Sequence, residues 1–417
     1  MRSIAYSELL HVFGRIGLLS FGGPAAQIGL MHRELVEERP WMTEDGFLRA
    51  LSFCMMLPGP EAMQLATYCG WRLRGVGGGL LAGVLFVLPG AFVILALALV
   101  YAAYGAVPVM QAIFTGIKAT VIVIVIQALW RLSGKALTRP DALGTAILAF
   151  LSLFAFSVPF PAVVLAAGAW GYLKTPDKAL PVSSDQVGGT GFARTVMVWG
   201  LIWLFPLAAL FASGRIFLAT LGVFFSQLAV VTFGGAYAVL AYMTQAVVET
   251  HGWLSTAQMI DALGLAETTP GPLILVTEFV AILAGHGAGG WGLAIAAGLT
   301  ALWMTFTPCF LWIFAGAPYI ERLSSRPRLS AALASITAAV VGVIANLSVW
   351  FLLHVWFAQV TSWSVGPVTL PLPVLASVSA PAIGLSLLAA SLLVVLRLNL
   401  LLVLPLMGGA GLVISLL

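Results

Sequence analysis

The chain has 417 residues, of which 61% are hydrophobic and only 8% charged, and its mean hydropathy is +1.07. Soluble globular chains carry about 25% charged residues, so a water-soluble fold is excluded and a bilayer is implied. The net charge of +4 does not point to nucleic acid, because the basic residues sit in short loops between apolar runs and report topology instead. Cys54, Cys69 and Cys309 lie in apolar stretches without Cys-x-x-Cys spacing, and the histidines are scattered. Neither a disulfide framework, a metal site nor a cofactor is expected.

In chain order, Met1 to Glu8 lacks the features of a cleavable signal. Leu9 to Met31 is apolar but is interrupted by Phe21-Gly22-Gly23-Pro24, which predicts two half-helices meeting at the glycines. A charged loop, His32 to Asp45, leads to Gly46–Trp71, broken in turn by Pro58-Gly59-Pro60. Uncharged runs long enough to span follow at 76–100, 108–130, 141–158, 195–213, 291–316, 331–353 and 371–396. A shorter run at 160–173 pairs with 141–158, and Lys174 to Arg194, rich in Pro, Ser and Gly, reads as the one linker. Gly75 to Gly79 lacks the downstream Lys-Ser of a phosphate-binding loop.

The interrupted segment occurs twice. Phe21-Gly22-Gly23, Trp41 and Pro58-Gly59-Pro60 recur as Phe233-Gly234-Gly235, Trp253 and Pro270-Gly271-Pro272, always 212 positions later, with 14 of the 48 positions from 13 to 60 identical. Beyond a seven-residue insertion placed near Gly285–Gly290, Pro89 pairs with Pro308 and Gln127 with Asn346 at an offset of 219. Counting spans places 15 of the 19 Lys and Arg residues on one face, which the positive-inside rule makes cytoplasmic together with the N-terminus. Arg131 and Lys135 correspond to Trp350 and His354, so equivalent loops of the two copies differ in charge. The copies are therefore expected to be inverted with respect to each other.

The expected fold is an all-α polytopic membrane protein of two inverted-topology repeats with broken or re-entrant helices and about 10–13 membrane segments. The repeats would occupy 1–174 and 214–417, separated by a cytoplasmic linker at 175–193 and an extra transmembrane helix at 194–213. Each broken segment either returns to its own side, the preferred reading, or crosses once, which leaves the parity elsewhere unchanged.

With these paired motifs, the whole chain resembles the chromate ion transporter family in its long form of two fused domains. The resemblance implies efflux of chromate, with sulfate as a related oxyanion, from the bacterial cytoplasm across the inner membrane, driven by the membrane potential or a proton gradient. Its implied partners are that dianion and the lipid bilayer, with room for a homodimer and no nucleic acid. The second copy departs from the pattern at Ala236, where Pro24 has its counterpart.

A dianion in mid-membrane needs partial positive charge rather than a tight cationic cage. A half-helix starting there offers three or four unpaired N–H groups, worth about half a charge. The candidate anion-binding residues are thus Ser20, Phe21, Gly22, Gly23, Pro24, Pro58, Gly59, Pro60 and Glu61, with Thr232, Phe233, Gly234, Gly235, Thr269, Pro270, Gly271 and Pro272 in the second copy. The hydroxyls of Ser20 and the threonines either donate to the anion or bond the preceding turn. Lys118, near the middle of an uncharged span, is a candidate counter-charge. Glu61, Glu267 and Glu278 are candidate proton carriers. A channel for the same anion is the alternative; a lipid-modifying enzyme would need a His, Asp or Ser cluster that the sequence lacks.

Overall fold

The computed structural model describes residues 4–176, 189–233, 236–267, 269–320 and 326–416. In chain order the helices are α1 (Tyr6–Leu19), α2 (Gly23–His32) running into a π turn at Arg33–Glu38, α3 (Glu44–Cys54), α4 (Glu61–Tyr104), α5 (Pro108–Ala136), α6 (Pro140–Phe154), α7 (Phe160–Lys174) and α8 (Gly189–Ala212). They continue with α9 (Ile216–Val231), α10 (Ala236–Gln245) running into a π turn at Ala246–Thr250, α11 (Thr256–Ala266), a 3-10 turn at Leu273–Leu275, α12 (Val276–Gly316) and α13 (Pro327–Trp356). A hairpin of β1 (Val360–Val365) and β2 (Val368–Pro373), then α14 (Ala380–Ala390) and α15 (Leu400–Leu416), complete the chain. Glu61–Tyr104, Pro108–Ala136, Gly191–Ala212, Leu273–Tyr319 and Pro327–Trp356 are long and apolar enough to cross a bilayer.

Two compact units result. The first comprises Met1–Leu99, Pro176–Val239 and Thr269–Ser330; the second comprises Val100–Thr175, Leu240–Thr268 and Ala331–Leu417.

In the first unit α4 is a hairpin rather than one rod. Arg74 and Gly75 leave helical geometry, Gly75 at φ +64°, and the arm 61–73 folds back on 76–104. The arms lie so close that a Cβ on Gly70 would fall 2.3 Å from the Gly78 carbonyl oxygen. In α12 the bend at Gly289–Gly290 does the same, and there Gly285 meets Leu293 and Ala297 as Gly70 meets Gly78 and Ala82. These contacts repeat 215 positions apart, not 219. Three of the seven extra residues are therefore the 3-10 turn Leu273–Leu275, which has no counterpart where α4 starts directly after Pro60. The insertion placed near Gly285–Gly290 thus begins earlier. Periodicity could not locate it, since both arms are mostly apolar.

The long arms of the two hairpins pack against each other with Gly79 beside Phe314 and Gly83 beside Phe310. One number rises as the other falls, so equivalent helices of the two copies are antiparallel, as inverted repeats require. Phe13, Phe86, Phe225 and Phe279 are fully buried, and the two π turns also recur at the repeat offset.

In the second unit α5 lies against α15, where Gly116 faces the Met407 carbonyl and Gly411 the Ala112 carbonyl. Small residues permit this close approach, the usual device of helix packing in membranes. α13 packs on α6 through Gly342 and on α7 through Gly171, which faces Ala331. Lys174 and Arg139 both bond Asp141 at that end of the helices, at 2.9 and 3.1 Å. The bond from Lys174 and the nearby Arg139 charge hold the Asp141 carboxyl below its ordinary pKa.

Two expected spans, 141–158 and 371–396, are shorter than the sequence suggests, while the shorter run 160–173 keeps its length. α6 and α7 have 15 residues each, about 22 Å at the α-helical rise against a hydrocarbon core of about 30 Å. The run 371–396 is not one helix, because its first residues complete the antiparallel β1–β2 hairpin, with Val360 opposite Pro373 and Val365 opposite Val368. Gly366-Pro367 makes the turn, and alternating Val, Thr and Trp flank it, a strand signal hidden by high hydropathy. α8 starts at Gly189, within the expected linker, so Arg194 stands on its first turns.

Candidate functional site

Both interruptions of the first copy are real breaks. α1 stops at Leu19, the Phe21 N–H bonds back to the Leu19 carbonyl at 2.9 Å, and α2 restarts at Gly23. Gly22 and Gly23 take φ of +84° and +80°, a pair of left-handed conformations that only glycine adopts without strain. No side chain caps the new N-terminus, and Pro24 occupies its first turn. α3 ends at Cys54 and α4 starts at Glu61, with Gly59 between them at φ +122°. In the second copy Phe233 bonds Val231 as Phe21 bonds Leu19, at 3.1 Å, and Gly271 takes φ +86°. Gly234 and Gly235 lie outside the described residues.

The breaks interlock across the copies. The Gly59 N–H donates to the Thr232 carbonyl at 2.8 Å, and the Gly271 N–H donates to the Ser20 carbonyl, also at 2.8 Å. Since Thr232 is the repeat of Ser20 and Gly271 the repeat of Gly59, this is one contact made twice by a pseudo-two-fold. The flanking helix repeats it too: a Cβ on Gly59 would lie 3.0 Å from Cys309 Sγ, and Gly271 lies against Gly90, the residue equivalent to Cys309. Gly90 allows the closest approach, since its Cβ would stand 2.1 Å from the Pro270 carbonyl oxygen. Irregular backbone is thus gathered into one cluster inside the first unit, buried at Gly59, Pro60, Pro270 and Gly271 and exposed at Gly22.

Two glutamines outside the candidate set belong to this cluster. Gln27 is buried, and its amide nitrogen donates to the Gly271 carbonyl at 2.6 Å and to the Ser20 carbonyl at 3.2 Å. Gln64 is fully buried and donates to the Pro58 carbonyl at 2.7 Å. The Oε1 atoms of both have no protein partner, an uncommon state for buried polar atoms. The signal was available, because each is a polar residue one turn after a break on an otherwise apolar helix.

The other candidates fall into place one by one. Ser20 Oγ donates to the Ile16 carbonyl at 2.6 Å and the Thr232 hydroxyl to the Leu228 carbonyl, so both bond the preceding turn. Thr269 is buried beside Pro270, and Pro272 caps the 3-10 turn. Glu61 is the first residue of α4 and Glu267 follows the last residue of α11. Glu278 is buried near the start of α12, and its Oε2 has no protein partner.

Lys118 is not bare. Its ammonium lies 3.2 Å from Asp261 Oδ1 within the second unit, and the Tyr101 hydroxyl donates to Asp261 Oδ2 at 2.7 Å. The candidate counter-charge already has a resident carboxylate, and the breaks belong to the first unit. Asp261 was overlooked although it is a lone acid in an apolar run, itself a sufficient signal. Arg15, also within an apolar segment, lies 3.4 Å from Glu34, which Arg39 bonds at 2.6 Å.

The sequence profile of a family described as "Chromate transporter" matches residues 7–172 and 219–413. The chain is 33% identical over 346 residues to a chromate transport protein of Cupriavidus metallidurans, covering 81% of this chain and 80% of that one. It is 32% identical over 391 residues to a probable chromate transport protein of Synechococcus elongatus, covering 91% and 95%. A chromate transport protein of Pseudomonas aeruginosa is 30% identical over 380 residues. No solved structure matches.

Proposed function

Because the chain belongs to the chromate transporter family, we propose that this multi-pass membrane transport protein is a secondary carrier exporting chromate from the cytoplasm, with the dianion held at the interlocked breaks of its two inverted repeats. The observation that carries the reading is the doubled contact, Gly59 to Thr232 and Gly271 to Ser20. It brings the four interruptions into one cluster, although they are far apart in sequence. Helix starts at Gly23 and Glu61 supply unpaired N–H groups, each start worth about half a positive charge, whereas the Leu275 and Val276 N–H groups at the start of α12 are taken up by the 3-10 turn. Such partial charges stabilise a dianion stripped of water without holding it as firmly as a full cation. The reading keeps the repeat boundaries 1–174 and 214–417, joined by the linker 175–193 and the added helix.

An inside-negative potential drives a dianion outward with about 4.6 kcal/mol per 100 mV, from about 2.3 kcal/mol per charge. That suffices for export without a coupled ion. Glu61 and Glu278 stay available for proton coupling.

The test is flux in liposomes carrying the purified protein under an imposed potassium diffusion potential. Chromate flux that saturates and rises with the potential is expected, with sulfate competing. Flux that grows linearly with concentration would mark a channel, and no flux above empty liposomes would overturn the assignment.

A further inference from the structure

The second unit contains a cavity of about 370 Å³ that the transport reading has not used. It is walled by the end of α6, the start of α7, the end of α10 with its π turn, the last turns of α13 and the β1–β2 hairpin. The hairpin is tied down by the Thr369 N–H, which donates to the Ala155 carbonyl at 2.8 Å. The Arg139–Asp141–Lys174 cluster lies at the opposite end of α6 and α7. If that cluster is cytoplasmic, as the positive-inside rule has it, the cavity is on the outer side.

Its lining mixes apolar side chains, among them Leu153, Phe160 and Leu347, with polar ones and is almost without charge. Ser157, Gln245, Asn346, Thr361 and Ser362 contribute hydroxyls and amides, Glu249 a carboxylate, and His354 an imidazole whose Nδ1 lies 2.9 Å from the Trp350 carbonyl. Among the described residues no Lys or Arg lines it. Ser157 has φ +49°, a left-handed conformation costing a non-glycine residue about 1 kcal/mol or more, of the kind that persists at functional positions.

The repeat makes the missing charge informative. Gln245 is the counterpart of Arg33 at the 212 offset, and Trp350 and His354 are the counterparts of Arg131 and Lys135 at 219. The second offset is anchored structurally, since α5 and α13 start on the equivalent prolines Pro108 and Pro327. Three positions that are cationic in the first copy are neutral where they line this chamber in the second. Loop topology alone asks for fewer cations outside; it does not ask for a chamber whose polar groups are hydroxyls, amides and an acid set among apolar walls.

We propose that this cavity is the outer release chamber for the oxyanion, in which neutral polar groups and water rehydrate the departing dianion while the absence of cations and the presence of Glu249 prevent its recapture. The volume holds about ten waters at roughly 30 Å³ each, enough for a tetrahedral ion with part of its shell. The proposal rests on the transport reading above and adds to it a device that disfavours re-entry from outside.

The experiment restores the first copy's charges. Gln245→Arg and His354→Lys, singly and together, are compared with wild type in oriented proteoliposomes, measuring the chromate KM from each face. The double variant is expected to lower the KM at the outer face about tenfold and to slow net efflux, leaving the cytoplasmic-face KM unchanged, since a cation close to a bound dianion acts locally under physiological screening. Sulfate binding to the purified double variant should tighten by a similar factor. Glu249→Gln, which adds no bulk, should move the outer KM the same way by about threefold and serves if the cationic variants do not fold. An unchanged outer KM in folded variants, or an equal shift at both faces, overturns the release chamber. Absence of saturable chromate flux in wild type overturns the carrier reading itself, a distinct result seen before any variant is compared.

Discussion

The two copies agree in backbone and disagree in side chains. Both have a break closed by a phenylalanine N–H, a glycine at positive φ between prolines, a π turn and a helical hairpin. Yet where the first copy buries Gln27, the second buries Val239, and where the first places Gln64 and Glu61 on the returning half-helix, the second places Phe279 and Val276 in the hairpin register. The Lys118–Asp261 pair also occurs once, since the equivalents are Thr337 and Arg49. The difference teaches that the symmetric part of the proposed site is made of main-chain groups, whose geometry the duplication preserves, while the polar side chains were loaded mainly onto one side. A passenger held by backbone N–H groups tolerates such asymmetry; one held by paired side chains would not.

The largest expected effect breaks the symmetric part. Gly90→Val drives a branched side chain into the Pro270 carbonyl, where even a Cβ stands at 2.1 Å. Chromate flux should fall by more than about tenfold, with destabilisation of about 3 kcal/mol from overpacking against backbone. At the equivalent position Cys309→Ala removes only a sulfur beside Gly59 and should cost about 1 kcal/mol. Flux and thermal unfolding of the two variants side by side measure how far the pseudo-two-fold holds.

Next is the pair present in only one arrangement. Asp261→Asn leaves Lys118 facing an apolar environment without its carboxylate and should destabilise by about 3 kcal/mol, the usual result of breaking a buried ion pair from one side. Lys118→Met combined with Asp261→Leu removes both charges and should recover most of the loss. A double variant as unstable as the single one would show that the Tyr101–Asp261 hydrogen bond, not the ion pair, matters.

Gln27→Val gives the first copy the second copy's residue. It removes the amide that serves the Gly271 and Ser20 carbonyls, for an expected loss of about 1–2 kcal/mol. Chromate affinity should weaken several-fold if the side chain also faces the anion. Loss of stability without a change in KM would assign Gln27 to holding the breaks together.

Much of this asymmetry was legible in the sequence, though unevenly. The breaks at 21–24 and 58–60 and their twins were legible because glycine pairs and flanking prolines cannot continue a helix. The closure of Gly59 on Thr232 was not, since no local pattern reports which break touches which. Asp261 was readable as a lone intramembrane acid, but not as the partner of Lys118, because a distance of 143 residues in sequence carries no contact information. The β1–β2 hairpin was masked by composition: Val360–Val365 and Val368–Pro373 are apolar enough to pass for membrane, and only the Gly-Pro turn distinguishes them.

The smallest expected effect lies in the loop after the first break, where the copies differ again. His32 Nδ1 lies 3.0 Å from Glu37 and Nε2 lies 2.7 Å from Glu44, so both ring nitrogens donate only as imidazolium; the second copy has Thr244 at this position. The hydrogen bond to Glu44 and the charge of the two carboxylates raise the His32 pKa above its ordinary value of 6.5. A folded-state pKa raised above the unfolded one gives stability that is complete below about pH 6.5 and is lost as pH rises through the folded value. His32→Gln should therefore lower thermal stability at pH 5.5 by less than about 1 kcal/mol and make almost no difference at pH 9, with Thr244→Val flat across the range. A His32→Gln deficit that instead grows toward pH 9 would mean the neutral imidazole is the stabilising form, and the two glutamates would then have no part in ordering this loop.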